Sequence, residues 1–192
     1  MIRRLYDWTM RLAGHRHATW ALAFIAFLES SVFPIPPDVL MIPMIIAAPH
    51  RAFRIAFIAT LASVIGGIVG YGIGYGLMDS VGKPILEFYG KSDKFDELAT
   101  RFNEYGPWAV IIAGVTPFPF KVITIFSGVT HLSLPIFLGS AVFARALRFF
   151  VVAALLWKFG APMRDFIEKR LGLVFTLFVA LLLGGLYLVK YL

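Results

Sequence analysis

An apolar run from Ala18 to Ala48 is cut at its centre by Glu-Ser-Ser-Val-Phe-Pro-Ile-Pro-Pro-Asp, Glu29 to Asp38. Pro34, Pro36 and Pro37 remove three backbone donors and disfavour helix at the residues before them. The arms that remain, Ala18 to Leu28 and Val39 to Ala48, are both shorter than the roughly 20 residues a membrane-spanning helix needs. Neither arm can cross a bilayer alone, so the pattern predicts a re-entrant hairpin over 18–48.

The rest of the chain fits a membrane solvent. With 59% hydrophobic and 15% charged residues in 192 and a mean hydropathy of +0.82, there are too few polar groups to cover a water-facing surface. Ile55 to Met78 contains no charged residue and predicts a spanning helix over 55–78. Within it Ala62, Gly66, Gly70 and Gly74 recur every fourth position, a ridge that lets another backbone approach closely; Gly72 and Gly76 add a second row. The ridge could pack within the chain or against another copy, so a homo-oligomer is left open.

A second broken run, Trp108 to Val129, is interrupted by Thr-Pro-Phe-Pro-Phe-Lys at 116–121. Pro117 and Pro119 play the part of the first three prolines, and a second re-entrant hairpin is expected over 108–129. Two broken segments in corresponding positions suggest an inverted internal repeat with a site where the breaks meet. Leu134 to Trp157 and Leu171 to Val189 predict further spanning helices over 134–157 and 171–189. Ile2, Leu5, Trp8 and Leu12 alternate with Arg3, Arg4, Asp7 and Arg11 as in a helix lying in the interface, over 1–16. Ile85, Phe88, Tyr89, Phe95, Leu98 and Phe102 repeat that pattern over 84–104, with Pro84 suited to a first turn. The expected fold is a single all-α integral membrane domain over 1–192: two inverted re-entrant hairpins packed with about three transmembrane helices plus interfacial amphipathic helices. The apolar stretch from Ala18 holds Glu29 and its pattern continues beyond, so the N-terminus reads as retained, not as a cleaved signal peptide.

Charge distribution favours hairpins over full crossings. If the first broken segment returns to its starting side, Arg3, Arg4, Arg11 and Arg16 share that side with Arg51 and Arg54. Asp79 to Glu104, across the membrane, has six acids and four bases, and Lys158, Arg164, Lys169 and Arg170 return to the basic side. Basic loops remain cytoplasmic; a full crossing would place Arg51 and Arg54 outside.

Charged residues inside apolar runs are functional candidates, because they are expensive at membrane depth unless paired or hydrated. Glu29 and Asp38 bracket the first break and Lys121 lies at the second. Arg145 and Arg148, three apart, share a face of a spanning helix. The plainer reading makes Asp38 a helix cap after Pro37 and Arg148 a snorkelling or ion-pairing residue. Together the five would form a cavity of mixed charge, lined by half-helix ends whose N-termini attract anions, suited to a phosphate-bearing headgroup and a proton-exchanging acid.

Other chemistries find little support. The net charge of +7 sits beside apolar runs and points to anionic lipid headgroups, with no nucleic acid expected. The absence of Cys excludes disulfides and thiolate chemistry. His15, His17, His50 and His131 have no metal-ligand spacing with a carboxylate partner, no nucleophile stands with a base, and the glycines at 66–76 lack the strand that a dinucleotide loop follows. Neither an enzyme, a metal nor a cofactor is expected.

At Glu29 to Asp38, the glycine-rich Gly66 to Gly76, Thr116 to Lys121, and Arg145 with Arg148, the chain resembles the DedA family, also called the VTT or SNARE-associated domain, and within it the shorter YqaA-like branch. The resemblance covers about Ala18 to Trp157. It implies two oppositely oriented re-entrant hairpins, residence in the bacterial inner (cytoplasmic) membrane, and movement of lipids between leaflets, with undecaprenyl phosphate and phospholipids as substrate classes and dependence on the proton-motive force. Glu29 and Asp38 match the family's acidic pair. Its second hairpin usually contains an Arg motif, where this chain has Thr116 and Lys121. The expected function is a lipid flippase or scramblase in which Glu29 or Asp38 exchanges protons. The alternative is a membrane assembly or envelope-homeostasis factor without transport.

Overall fold

The computed structural model describes residues 17–169 apart from 34, 89, 91 and 117. The helices expected over 1–16 and 171–189, and the break prolines Pro34 and Pro117, lie outside the described residues. Regular structure among the described residues is entirely helical. Helix α1 (Ala18–Ser31) and helix α2 (Asp38–Ala47) flank the first break, and a 3-10 turn (Pro49–Arg51) leads into α3 (Ala52–Leu77). A π turn (Met78–Gly82) and the short α4 (Lys83–Phe88) precede α5 (Ser92–Val115). Helix α6 (Phe120–Val129) follows the second break, and α7 (Leu134–Lys169) bends at Phe159, whose φ of −116° and ψ of 17° leave the helical region.

Two stretches are long and apolar enough to cross a membrane, Pro49–Gly82 and Leu134–Gly160, where spanning helices were expected over 55–78 and 134–157. Three of the four arms flanking the breaks are shorter, the exception being α5, which is 24 residues long. At 14 residues for α1 and 10 each for α2 and α6, they reach about 21 and 15 Å at 1.5 Å per residue, against a hydrocarbon core of about 30 Å.

One expected boundary moves. The amphipathic helix over 84–104 and the first arm of the second broken run, from Trp108, are not separate elements divided at Gly106-Pro107. The interruption comes earlier, at Gly90, whose φ of +61° favours glycine, and Ser92–Val115 is one helix passing through Pro107. The space a side chain at 106 would need is filled by Leu132, whose Cδ1 would lie 2.6 Å from an added Cβ. Gly106 is thus a packing contact, and the Gly-Pro pair does not break the helix.

The glycine ridge packs within the chain. Helix α3 lies between α1 and α6, and α7 packs against α3 and α5. A Cβ at Gly66 would collide with the Phe27 backbone, at Gly70 with Thr124 and Ser30, and at Gly74 with the Ile125 carbonyl, while Gly128 of α6 faces the Tyr71 carbonyl. Gly72 and Gly76 face open space. Leu22, Met41, Ile45, Ala56 and Phe149 fill one apolar core, and Val110, Phe120, Phe137 and Ala141 another. Outside them Trp20, Phe57, Leu61, Ile65 and Trp157 are exposed, the kind of apolar surface that meets a membrane or another protein.

The halves also keep step. Helix α6 begins 82 residues after α2 and has the same length, and α7 begins 82 residues after α3. Ser63 and Arg145 occupy equivalent places under this shift.

Candidate functional site: a charge network joining the two breaks

Glu29 stands in the last turn of α1 and is buried. Its Oε2 accepts from Arg145 Nη2 at 2.7 Å and from the Ser30 hydroxyl at 3.1 Å. Its Oε1 accepts the backbone N–H of Phe120, 91 residues away, at 3.2 Å. A helix N-terminus leaves N–H groups without intrahelical partners, and Pro119, the residue before α6, offers no side-chain cap. Glu29 therefore caps the second arm of the other broken segment, where its charge also suits the helix dipole.

Arg145 is fully buried, with its Nε donating to Ser63 Oγ at 2.6 Å. Ser63 and Ser30 hydroxyls lie 2.6 Å apart. Because the Ser30 proton goes to Glu29 and Ser63 accepts from Arg145, Ser63 donates to Ser30, and a closed ring runs Arg145, Ser63, Ser30, Glu29. The guanidinium lies between two aromatic faces, 4.8 Å from the Phe120 centroid and 4.6 Å from that of Phe149. Its Nη1 has no hydrogen-bond partner among the described residues, and cation–π attraction offsets part of that loss.

The second pair is nearer the surface. Arg148 Nη2 donates to Asp38 Oδ2 at 2.6 Å, with side chains 14% and 16% accessible, while the Glu29–Arg145 pair is 9% and 1% accessible. Arg148 Nη1 donates to the Thr116 carbonyl at 2.6 Å, just past the C-terminus of α5. Asp38 is the first residue of α2, with Pro37 before it and no side-chain cap. The capping role that position suggested is not taken; the carboxylate turns to Arg148 instead. Lys121 Nζ reaches across to the Val32 carbonyl at 3.0 Å, at the end of α1, and Thr124 Oγ1 donates to the Ser30 carbonyl at 2.9 Å.

All five charged candidates thus converge, and several act at helix ends: an acid at the N-terminus of α6, cations at the C-termini of α1 and α5. Pro36, Pro37 and Pro119 shape the breaks without contributing side-chain bonds. Sequence reasoning missed Ser30, Ser63 and Thr124. The weak signal for Ser63 was its place one repeat interval, 82 residues, before Arg145.

Helices throughout the described residues, two candidate spans, an apolar exterior and a buried network of charges together define a membrane protein. More particularly, the VTT domain model matches residues 33–158, and the chain belongs to this family, the DedA family, which is linked to membrane lipid transport or homeostasis. An uncharacterized protein of Haemophilus influenzae is 40% identical over 168 residues, covering 85% of this chain and 87% of its own length. An uncharacterized protein of Histophilus somni is 42% identical over the same shares. No solved structure matches.

Proposed function

We propose that the chain is a multi-pass lipid transporter of the bacterial inner membrane, a flippase or scramblase that moves a phosphate-bearing lipid, such as undecaprenyl phosphate or a phospholipid, between leaflets. The observation that carries this reading is an uncompensated cation where the breaks meet. Glu29 is matched by Arg145 and Asp38 by Arg148, whereas Lys121 bonds only to a neutral carbonyl and forms no ion pair among the described residues. A phosphate passing the breaks would find its charge partner there. Val32, Phe33, Ile35 and Val122 beside it are exposed, an apolar flank along which acyl chains can remain in the membrane.

In this reading the two broken segments are re-entrant hairpins of an inverted repeat, which the 82-residue spacing supports, and the protein is not an enzyme. Asp38, held by one arginine and partly accessible, is the acid we assign to proton exchange. Glu29, held by three donors, keeps the hairpins together. The test is translocation of labelled undecaprenyl phosphate and phospholipids in proteoliposomes, with and without a pH gradient, for wild type and Lys121→Ala. Lys121→Ala is expected to slow transport about tenfold or more, the loss of a charge-assisted hydrogen bond worth about 1.5–3 kcal/mol, with the fold intact. Wild-type protein that accelerates no lipid would overturn the reading.

A second reading has its own support. Because the paired charges also bind helix ends, the network can be purely architectural, as in an assembly or envelope-homeostasis factor without transport. Lys121→Ala would then preserve complementation of a deletion strain.

A further inference from the structure

The basic end of the bundle carries cations that the charge network does not use. Arg51 and Arg54 stand at the start of α3, and Lys158 in α7 just before its bend at Phe159. All three are exposed, and none forms an ion pair among the described residues. Arg51 Nε donates to His50 Nε2 at 3.2 Å, and Lys158 Nζ lies 5.5 Å from the Phe159 ring centroid; both partners are uncharged. The sequence holds no acid between Asp38 and Asp79 or between Glu104 and Asp165. Nor do the arginines serve their helix. Cations in a first turn oppose its dipole, and α3 has there neither an acid nor a side-chain cap.

Arg54 and Lys158 rim a groove on the outside of the bundle. Ala52, Ile55 and Ala56 of α3 turn to the same core as Phe149, Ala153 and Leu156 of α7. Phe53 lies between the two helices, its ring centroid 5.8 Å from that of Trp157 and 6.3 Å from that of Phe150. At 3.6 residues per turn the next residue is rotated by about 100°, which carries Arg54 and Lys158 past this aromatic floor to the outer side, one on each helix. Below each cation runs an apolar stripe. Leu61 and Ile65 follow Arg54 by seven and eleven residues, and Val151 and Leu147 precede Lys158 by the same intervals. Both intervals are close to whole turns, and all four side chains are exposed.

We propose that the groove between α3 and α7 is a docking site for an anionic phospholipid, its phosphate facing Arg54 and Lys158 and its acyl chains lying along the two stripes. Basic pockets between spanning helices suit anionic headgroups. A soluble anion would leave the stripes uncovered, and a zwitterionic lipid would bring its own cation against the two on the rim. The site stands apart from the breaks and does not depend on transport: it serves an assembly factor as well as a transporter.

The experiment titrates the purified full-length chain in detergent with phosphatidylglycerol and with phosphatidylcholine of the same acyl chains, and reads bound lipid by native mass spectrometry. Phosphatidylglycerol is expected to bind saturably and about tenfold or more tighter than phosphatidylcholine. Arg54→Gln and Lys158→Gln should each weaken it about fivefold, and together about thirtyfold. Lys121→Ala at the breaks, and Arg101→Gln, whose side chain is paired with Glu97, should leave it unchanged. The double variant is expected to melt without lipid at the wild-type temperature, since both side chains are exposed; if it does not, the two single variants decide. Equal binding of the two lipids, or indifference to both substitutions on the rim, overturns the site. Loss of phosphatidylglycerol binding in Lys121→Ala alone would place the lipid at the breaks, overturning this site while supporting transport.

Discussion

Arg145 has one carboxylate partner, Glu29, and both are buried, Arg145 completely. Removing either charge leaves the other buried and unmatched, so Glu29→Gln and Arg145→Met are each expected to lower stability by about 3–5 kcal/mol, and the double variant to lose less than the sum of the two. Asp38→Asn should cost less than Glu29→Gln, because water can reach Arg148. Ser63→Ala strands the Arg145 Nε donor and should cost about 1–3 kcal/mol. Thermal unfolding of the purified protein in one detergent ranks all of these. The five charges could be found in the sequence because a charge in an apolar run is rare and needs a reason. Ser63 could not, since a hydroxyl in a membrane helix is inexpensive and can bond its own backbone, as Thr60 does to the Ala56 carbonyl. Nor could the pairing: either acid might have met either arginine, and only the fold sets Glu29 on Arg145 and Asp38 on Arg148.

Between elements, the close approach of α3 to its neighbours depends on which glycines face them. Gly66→Ala forces a methyl group into the Phe27 backbone, which cannot move aside as a side chain can, and should destabilise by about 1–3 kcal/mol. Gly72→Ala meets nothing and should be neutral or stabilise by up to about 1 kcal/mol through helix propensity; differential scanning fluorimetry separates the two. The spacing of the glycines identified the ridge, and the structure assigns it to α1 and α6. The Gly106-Pro107 pair misled for a related reason: whether a missing side chain breaks a helix or admits a neighbour depends on what stands opposite, here Leu132 from 26 residues further on.

For the molecule as a whole, the arrangement of basic segments predicts an orientation that labelling can test. The chain contains no cysteine, so single replacements report cleanly. With the hairpins re-entrant, Arg51→Cys and Lys158→Cys should react with a membrane-impermeant maleimide from the cytoplasmic side and Glu97→Cys from the opposite side; reaction of Arg51→Cys and Glu97→Cys from the same side would sink that topology. The bonds across the breaks also bear on how the protein is made. Glu29 waits 91 residues for Phe120 and 116 for Arg145, so at ribosomal rates of about 5–20 residues per second the first broken segment spends on the order of ten seconds in or near the membrane with its acid unmatched. If the first broken segment is re-entrant as proposed, the early half needs shelter during synthesis, by water at the bilayer surface or by the insertion machinery, until the arginines of the last described helix emerge to claim it.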